Sequence, residues 1–127
     1  STLGAVSAEA ARGVGARQVP DEAPERNLFV RSDQYSFVRT GVPALALKFA
    51  AVSPAEQAIQ KDWLTNRYHA PSDDLAQPFD PAHVIPFNRY LVRLIGDVAN
   101  APARPTWHAE SFFRRFAADA GAPATGR

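Results

Sequence analysis

Eleven prolines punctuate this 127-residue chain, at 20, 24, 43, 54, 71, 78, 81, 86, 102, 105 and 123. Proline lacks the N–H that helices and ladders use, so a regular element that meets one begins there, ends there or loses a bond. Together with seven glycines the prolines fall mostly between apolar stretches, which therefore read as short elements joined by turns. Apolar residues make up 46% and charged residues 21%, a balance that folds and does not stay disordered. At 13.8 kDa the chain has the size of one domain, able to bury roughly two thirds of its surface. No internal repeat is visible.

The same composition excludes several functions. A net charge of +1 gives no electrostatic case for nucleic acid or an anionic membrane. No apolar run approaches the roughly 20 residues of a membrane-spanning helix. The absence of cysteine excludes disulfide frameworks, thiolate zinc sites and cysteine nucleophiles. There is no methionine and no signal-like stretch, and Ser1 opens directly into helix-like sequence. The expectation is a chain processed, or cut from something longer.

Residues 2–16 place Leu3, Val6, Ala10 and Val14 at helical spacing, ending near Gly13 and Gly15. Residues 17–19 and 28–30 suggest short extended segments, with the polar PDEAPERN connection between them. Ser32 or Asp33 then starts a short helix, QYSFVRT, ended by Gly41. ALALKFA, 44–50, reads as a buried strand. Pro54 after Ser53 predicts a helix over 54–64, and 65–81 reads as a loop. Val84, Phe87, Leu91, Leu94, Ile95 and Val98 predict an amphipathic helix that starts at or kinks near Pro86. WHAESFFRRFAADA closes the chain as a short helix, and residues 118–127 are expected to fray. Helix, strand, helix, strand, helix, helix is an α/β pattern, with too few strands for a comfortable sheet.

Chemistry concentrates in two segments. The loop at 65–81 holds His69 between Tyr68 and Pro71, with Asp73 and Asp74 following. Loops on a scaffold commonly carry ligands, and neutral imidazole is a common zinc ligand oriented by a nearby carboxylate. Two readings stand for these residues alone: a metal-ligand loop, or a capped turn with a surface histidine. Asp33 stands at an expected strand-to-helix corner, as a functional carboxylate or as a helix cap. His83 and His108 read as solvent-facing.

Ser-Asp-Gln-Tyr-Ser-Phe at 32–37, Gly-Val-Pro-Ala-Leu at 41–45 and Tyr-His-Ala-Pro-Ser-Asp-Asp-Leu at 68–75 together resemble the zinc aminopeptidase family. This is the family of bacterial leucyl aminopeptidases, with relatives in glutamate carboxypeptidase and glutaminyl cyclase. The resemblance runs over roughly 22–117, and the ARPTWHAESFFRRF ending looks like that of larger bacterial members. By this resemblance His69 falls on the family's last zinc ligand, in a Tyr/Ile-His-Thr-x-x-Asp pattern. Asp73 falls on that pattern's acidic position and orders the ligand loop, and Asp74 replaces the usual Thr. Asp33 matches the outer-shell Asp of a Ser-Asp-His-x-x-Phe motif, in which Gln34 replaces the usual imidazole. Tyr68 and Phe29 match positions bordering the side-chain pocket in some members, with plain aromatic packing as the other reading.

The resemblance further implies a fold, a cofactor and an activity. The fold is the C-terminal part of a three-layer α/β/α sandwich with a mixed central sheet, 44–50 being a central strand and 82–99 a helix on one sheet face. Residues 1–127 would form the C-terminal segment of one catalytic domain. The cofactor is a pair of zinc ions that acidify a bridging water, which a carboxylate base deprotonates for attack on the scissile carbonyl. Nothing here matches the family's early His-x-Asp, its bridging Asp, its Glu-Glu pair with the general base, or its later Asp. A catalytic zinc needs about three protein ligands. The expectation is therefore a chain with one zinc ligand, His69, and no catalytic base, inactive alone and binding zinc weakly. Its partners would be a peptide substrate, the preceding segment of the same domain, and other copies of itself through exposed edge and apolar surface. The parent is expected to be periplasmic or secreted. Rival readings are a non-catalytic binding domain on the same fold, a metal-free α/β domain, and acyl transfer by a glutaminyl-cyclase-like site. The last favours Trp before the ligand His, where Tyr68 stands.

Overall fold

A computed structural model of the chain describes residues 1–77 and 80–120. Among them are helices α1 (Leu3–Gly13), α2 (Gln34–Val38), α3 (Pro54–Asn66), α4 (Pro81–Ala99) and α5 (Arg114–Ala120), with 3-10 turns at Pro24–Arg26 and Leu28–Arg31.

The local chemistry explains each boundary. Gly15 (φ +73°) and Gly41 (φ +87°) are left-handed, and each ends a helix with the same pair of bonds. After α1 these run from Ala16 N–H to Ala11 O and from Gly15 N–H to Arg12 O. After α2 they run from Val42 N–H to Phe37 O and from Gly41 N–H to Val38 O. α3 starts at a reciprocal cap: Ser53 Oγ accepts from Glu56 N–H while the Glu56 carboxylate accepts from Ser53 N–H, and Pro54 follows. Asp80 caps α4 by accepting from Ala82 N–H at 2.9 Å. Pro86 lies inside α4, so the helix neither starts nor stops there and the Ala82 carbonyl has no fourth-residue donor.

The core is a two-helix contact. Ala10 and Ala11 of α1 let Tyr90 and Leu94 of α4 approach closely, and Val6, Val14, Leu45, Phe87, Leu91 and Val98 surround them. Ser7 is fully buried among these apolar groups, its hydroxyl 2.6 Å from the Tyr90 hydroxyl. Ile95, expected on the packed face of α4, is 66% exposed. α3 buries no side chain fully.

The expected α/β sandwich is not what forms. Among the described residues there is no strand and no sheet, so the central sheet and the three layers are absent. A strand exists only through a ladder with a neighbour, and none of the three predicted segments has one. Residues 17–19 run irregularly, and 28–30 close into the 3-10 turn that follows left-handed Asn27 (φ 52°). Residues 44–50 also run irregularly. Leu45 packs on the α1–α4 core, Phe49 lies 4.5 Å from the Phe87 ring, and Lys48 pairs with Asp21 at 2.9 Å. α5 extends to Ala120, so the start of the stretch expected to fray is helical, and 121–127 lie outside the described residues.

Candidate functional site

His69 sits just past the C-terminal end of α3, on a backbone the helix end constructs. Trp63 O accepts from both Arg67 N–H (2.9 Å) and Tyr68 N–H (3.0 Å), closing the last turn. His69 then takes φ +58°, which histidine tolerates better than most side chains, and Ala70 N–H returns to Arg67 O at 2.9 Å. Two side chains staple the loop: Ser72 Oγ donates to Asn66 O (2.7 Å), and Arg67 Nη1 donates to Ser72 O (3.0 Å).

The imidazole is exposed and stacks on the Tyr68 ring, with centroids 3.8 Å apart at 23°. Tyr68 in turn leans on Trp63 at 5.1 Å. No hydrogen bond among the described residues engages either imidazole nitrogen of His69. Asp73 lies in the same loop, its N–H donating to Ala70 O at 3.0 Å and its carboxylate accepting from the Gln77 amide. The Asp74 carboxylate accepts from Ala76 N–H at 2.9 Å, an ordinary turn contact.

Asp33 occupies the cap position of α2, but its side chain makes no capping bond and is exposed. Its neighbour Gln34 donates its side-chain amide to Phe29 O at 2.7 Å, tying the turn Leu28–Arg31 to α2. Phe29 is half-buried, its ring 5.3 Å from that of Phe113. It also lines an open concavity of about 920 Å³, together with Leu45, Phe49, Phe87 and Tyr90. Tyr68 does not line that concavity, so the two expected pocket residues do not share a wall. The structure thus groups Tyr68, His69 and Asp73 in one loop, and Phe29, Asp33 and Gln34 at one corner. No hydrogen bond among the described residues joins the two groups.

Three carboxylates lie below their ordinary range, all exposed. A hydrogen bond from Lys48 lowers Asp21, one from the Ser53 hydroxyl lowers Glu56, and one with His83 lowers Asp80. His83 Nδ1 is 2.6 Å from Asp80 Oδ2, with its side chain 74% exposed as expected. His108 is exposed too.

No three His, Asp or Glu side chains among the described residues converge as a metal site. One exposed imidazole does not hold a catalytic zinc, which needs about three protein ligands. The residues present therefore fit zinc only as a contribution to a larger set. Sequence reasoning missed Phe113 and the Gln34–Phe29 bond. The density of aromatic residues at 107–116 was the available signal for the first.

A helical chain with an exposed histidine in the loop after α3 narrows the class little, and a family comparison narrows it further. The model of peptidase family M28 matches residues 1–95, three quarters of the chain. The chain belongs to peptidase family M28, whose members are zinc-dependent aminopeptidases and carboxypeptidases. The match includes Asp33, His69 and Asp73 and stops short of the ARPTWHAESFFRRF ending. No curated protein and no solved structure matches the chain.

Proposed function

We propose that these residues carry the final metal-ligand loop of a two-zinc aminopeptidase. His69 gives one imidazole, and the other ligands and the general base come from residues outside these 127. What supports this most is a single coincidence. His69, which by motif resemblance falls on the family's ligand position, is also exposed, with both ring nitrogens outside the hydrogen bonds of the described residues. Zinc, when bound, would supply a polarised carbonyl and an acidified water. The residues of this chain hold and orient. His69 offers a nitrogen, the Arg67 and Ser72 staples fix the loop that presents it, and Tyr68 limits rotation of the ring by stacking on it. Asp73 and Asp33 are the outer carboxylates, and Phe29, in the concavity it shares with Leu45 and Phe87, borders the pocket for the substrate's N-terminal side chain, while Tyr68 supports the His69 ring. Alone, the chain is inactive and binds zinc weakly.

The test uses the product of the complete reading frame containing residues 1–127. It should release N-terminal residues from peptides with a free amine, spare the N-acetylated peptides, and lose activity on chelation. Equal cleavage of acetylated peptides, or no hydrolysis with zinc present, would sink the reading. By resemblance of its ending the full protein is exported; recovery from the cytoplasmic fraction alone would refute that.

A further inference from the structure

The stretch 105–117 lies beyond the family match, yet it is fastened to the matched region at both ends. Thr2 N–H donates to Thr106 O at 2.9 Å, and Thr106 N–H donates to Thr2 Oγ1 at 3.0 Å. Trp107 Nε1–H donates to Gly41 O at 3.0 Å, 66 residues away in sequence. At the far end the backbone of Phe116 and Ala117 rests on Gly41. A Cβ added there would come within 2.9 Å of Ala117 Cα and 3.1 Å of Phe116 O.

Between these anchors Phe113 is an aromatic hub. Its ring centroid lies 5.3 Å from Phe29, 5.5 Å from Trp107 and 6.4 Å from Tyr35, in tilted or edge-on contacts of the favourable kind. Tyr35 also meets Phe116 edge-on at 6.3 Å. Phe29 is therefore held twice, by its ring on Phe113 and by its carbonyl through the Gln34 amide. The ligand that the motif resemblance assigns, His69, lies outside this stretch.

We infer that residues 105–117 are a strap that fixes Phe29 and the turn that Gln34 holds, with Phe113 as its positioning residue. The consequence for substrate rests on the aminopeptidase reading above. If Phe29 borders the side-chain pocket, the strap sets which N-terminal side chains fit, without touching zinc or the bond that breaks.

Two measurements test this, on Phe113→Ala with Phe113→Leu as the conservative control. In the product of the complete reading frame, NMR should show Phe113→Ala moving the Phe29 ring and Trp107 indole N–H resonances and speeding exchange of the indole proton. The amides of Ala10 and Leu94 should keep their protection, and Phe113→Leu should restore most of the change. Unmoved Phe29 signals would overturn the strap. So would lost protection at Ala10 and Leu94, because Phe113 would then support the whole fold and not the corner. In the zinc-loaded product of the complete reading frame, KM for peptides with a bulky apolar N-terminal residue should rise about tenfold. The values of kcat and zinc content should hold. A fall in kcat with KM unchanged would overturn the role in substrate choice. A wild-type product without aminopeptidase activity would instead defeat the functional proposal, leaving the strap to be decided by the resonances.

Discussion

The hydroxyl of Tyr90 lies 2.6 Å from that of Ser7, and both residues are buried in the contact between α1 and α4. The Gln18 amide donates to the same Ser7 oxygen, so one buried hydroxyl joins both helices and the segment after α1. A buried polar group in an apolar seam is tolerated because it is satisfied; stranding it costs about 1–3 kcal/mol. Tyr90→Phe removes one partner while leaving Gln18, and should cost roughly 1 kcal/mol. Ser7→Ala leaves the buried phenol of Tyr90 without its partner, the exposed Gln18 amide turning to water, and should cost more. The double variant should cost less than the two single changes together, since they remove one shared interaction. Urea unfolding of the three variants checks the order.

Gly41 and Gly15 provide a matched pair. Both are left-handed and both end a helix, but an added Cβ meets the Ala117 backbone at Gly41 and nothing within 4 Å at Gly15. Gly15→Ala should carry only the left-handed penalty of about 1–2 kcal/mol. Gly41→Ala carries that penalty plus displacement of the strap, so its melting temperature should fall further. Equal melting temperatures would mean that 116–117 does not bear on Gly41.

The cap of α3 gives a pH dependence with a definite sign. A hydrogen bond from the Ser53 hydroxyl, with a smaller one from its N–H, holds the Glu56 carboxyl below the ordinary value of 4.5. The folded value is the lower one, so the stabilisation is fully present above the ordinary value and is lost as pH falls through the folded value. Because α3 buries no side chain fully, the loss should be local. Amides of 56–60 should lose hydrogen-exchange protection on acidification below about pH 4.5, while Ala10 and Leu94 keep theirs. Glu56→Gln should abolish the acid dependence of that step. Ser53→Ala should weaken the helix start by about 1 kcal/mol at neutral pH. Protection at 56–60 that does not change between pH 6 and 3 would refute the cap's role.

The helices were legible because their signals are local. Pro54 behind Ser53 marked α3, read as 54–64 and found as Pro54–Asn66. The spacing of Phe87, Leu91, Leu94 and Val98 marked α4, and the left-handed glycines marked two helix ends. The strands were not legible, because a strand is a relation between two segments. ALALKFA has the composition of a buried strand whether or not a partner lies beside it. WHAESFFRRFAADA has the composition of one helix, yet only Arg114–Ala120 is helical: Trp107 is drawn to Gly41 and Phe113 to Phe29 instead. Of the site, the motif order pointed to the family that the comparison shows. The position of the two aromatic candidates relative to each other depends on tertiary packing, which residue spacing does not encode.

The central claim is that His69 is a metal ligand, and zinc content tests it most directly. Zinc per chain would be measured in the purified product of the complete reading frame, for the wild type and for His69→Ala, with His83→Ala as a control. The account predicts about two zinc ions in the wild type and in His83→Ala, and loss of at least one in His69→Ala, with secondary structure unchanged by circular dichroism. Full zinc occupancy in His69→Ala would contradict it, and the loop at 67–73 would then be only a stapled turn at the end of a helix.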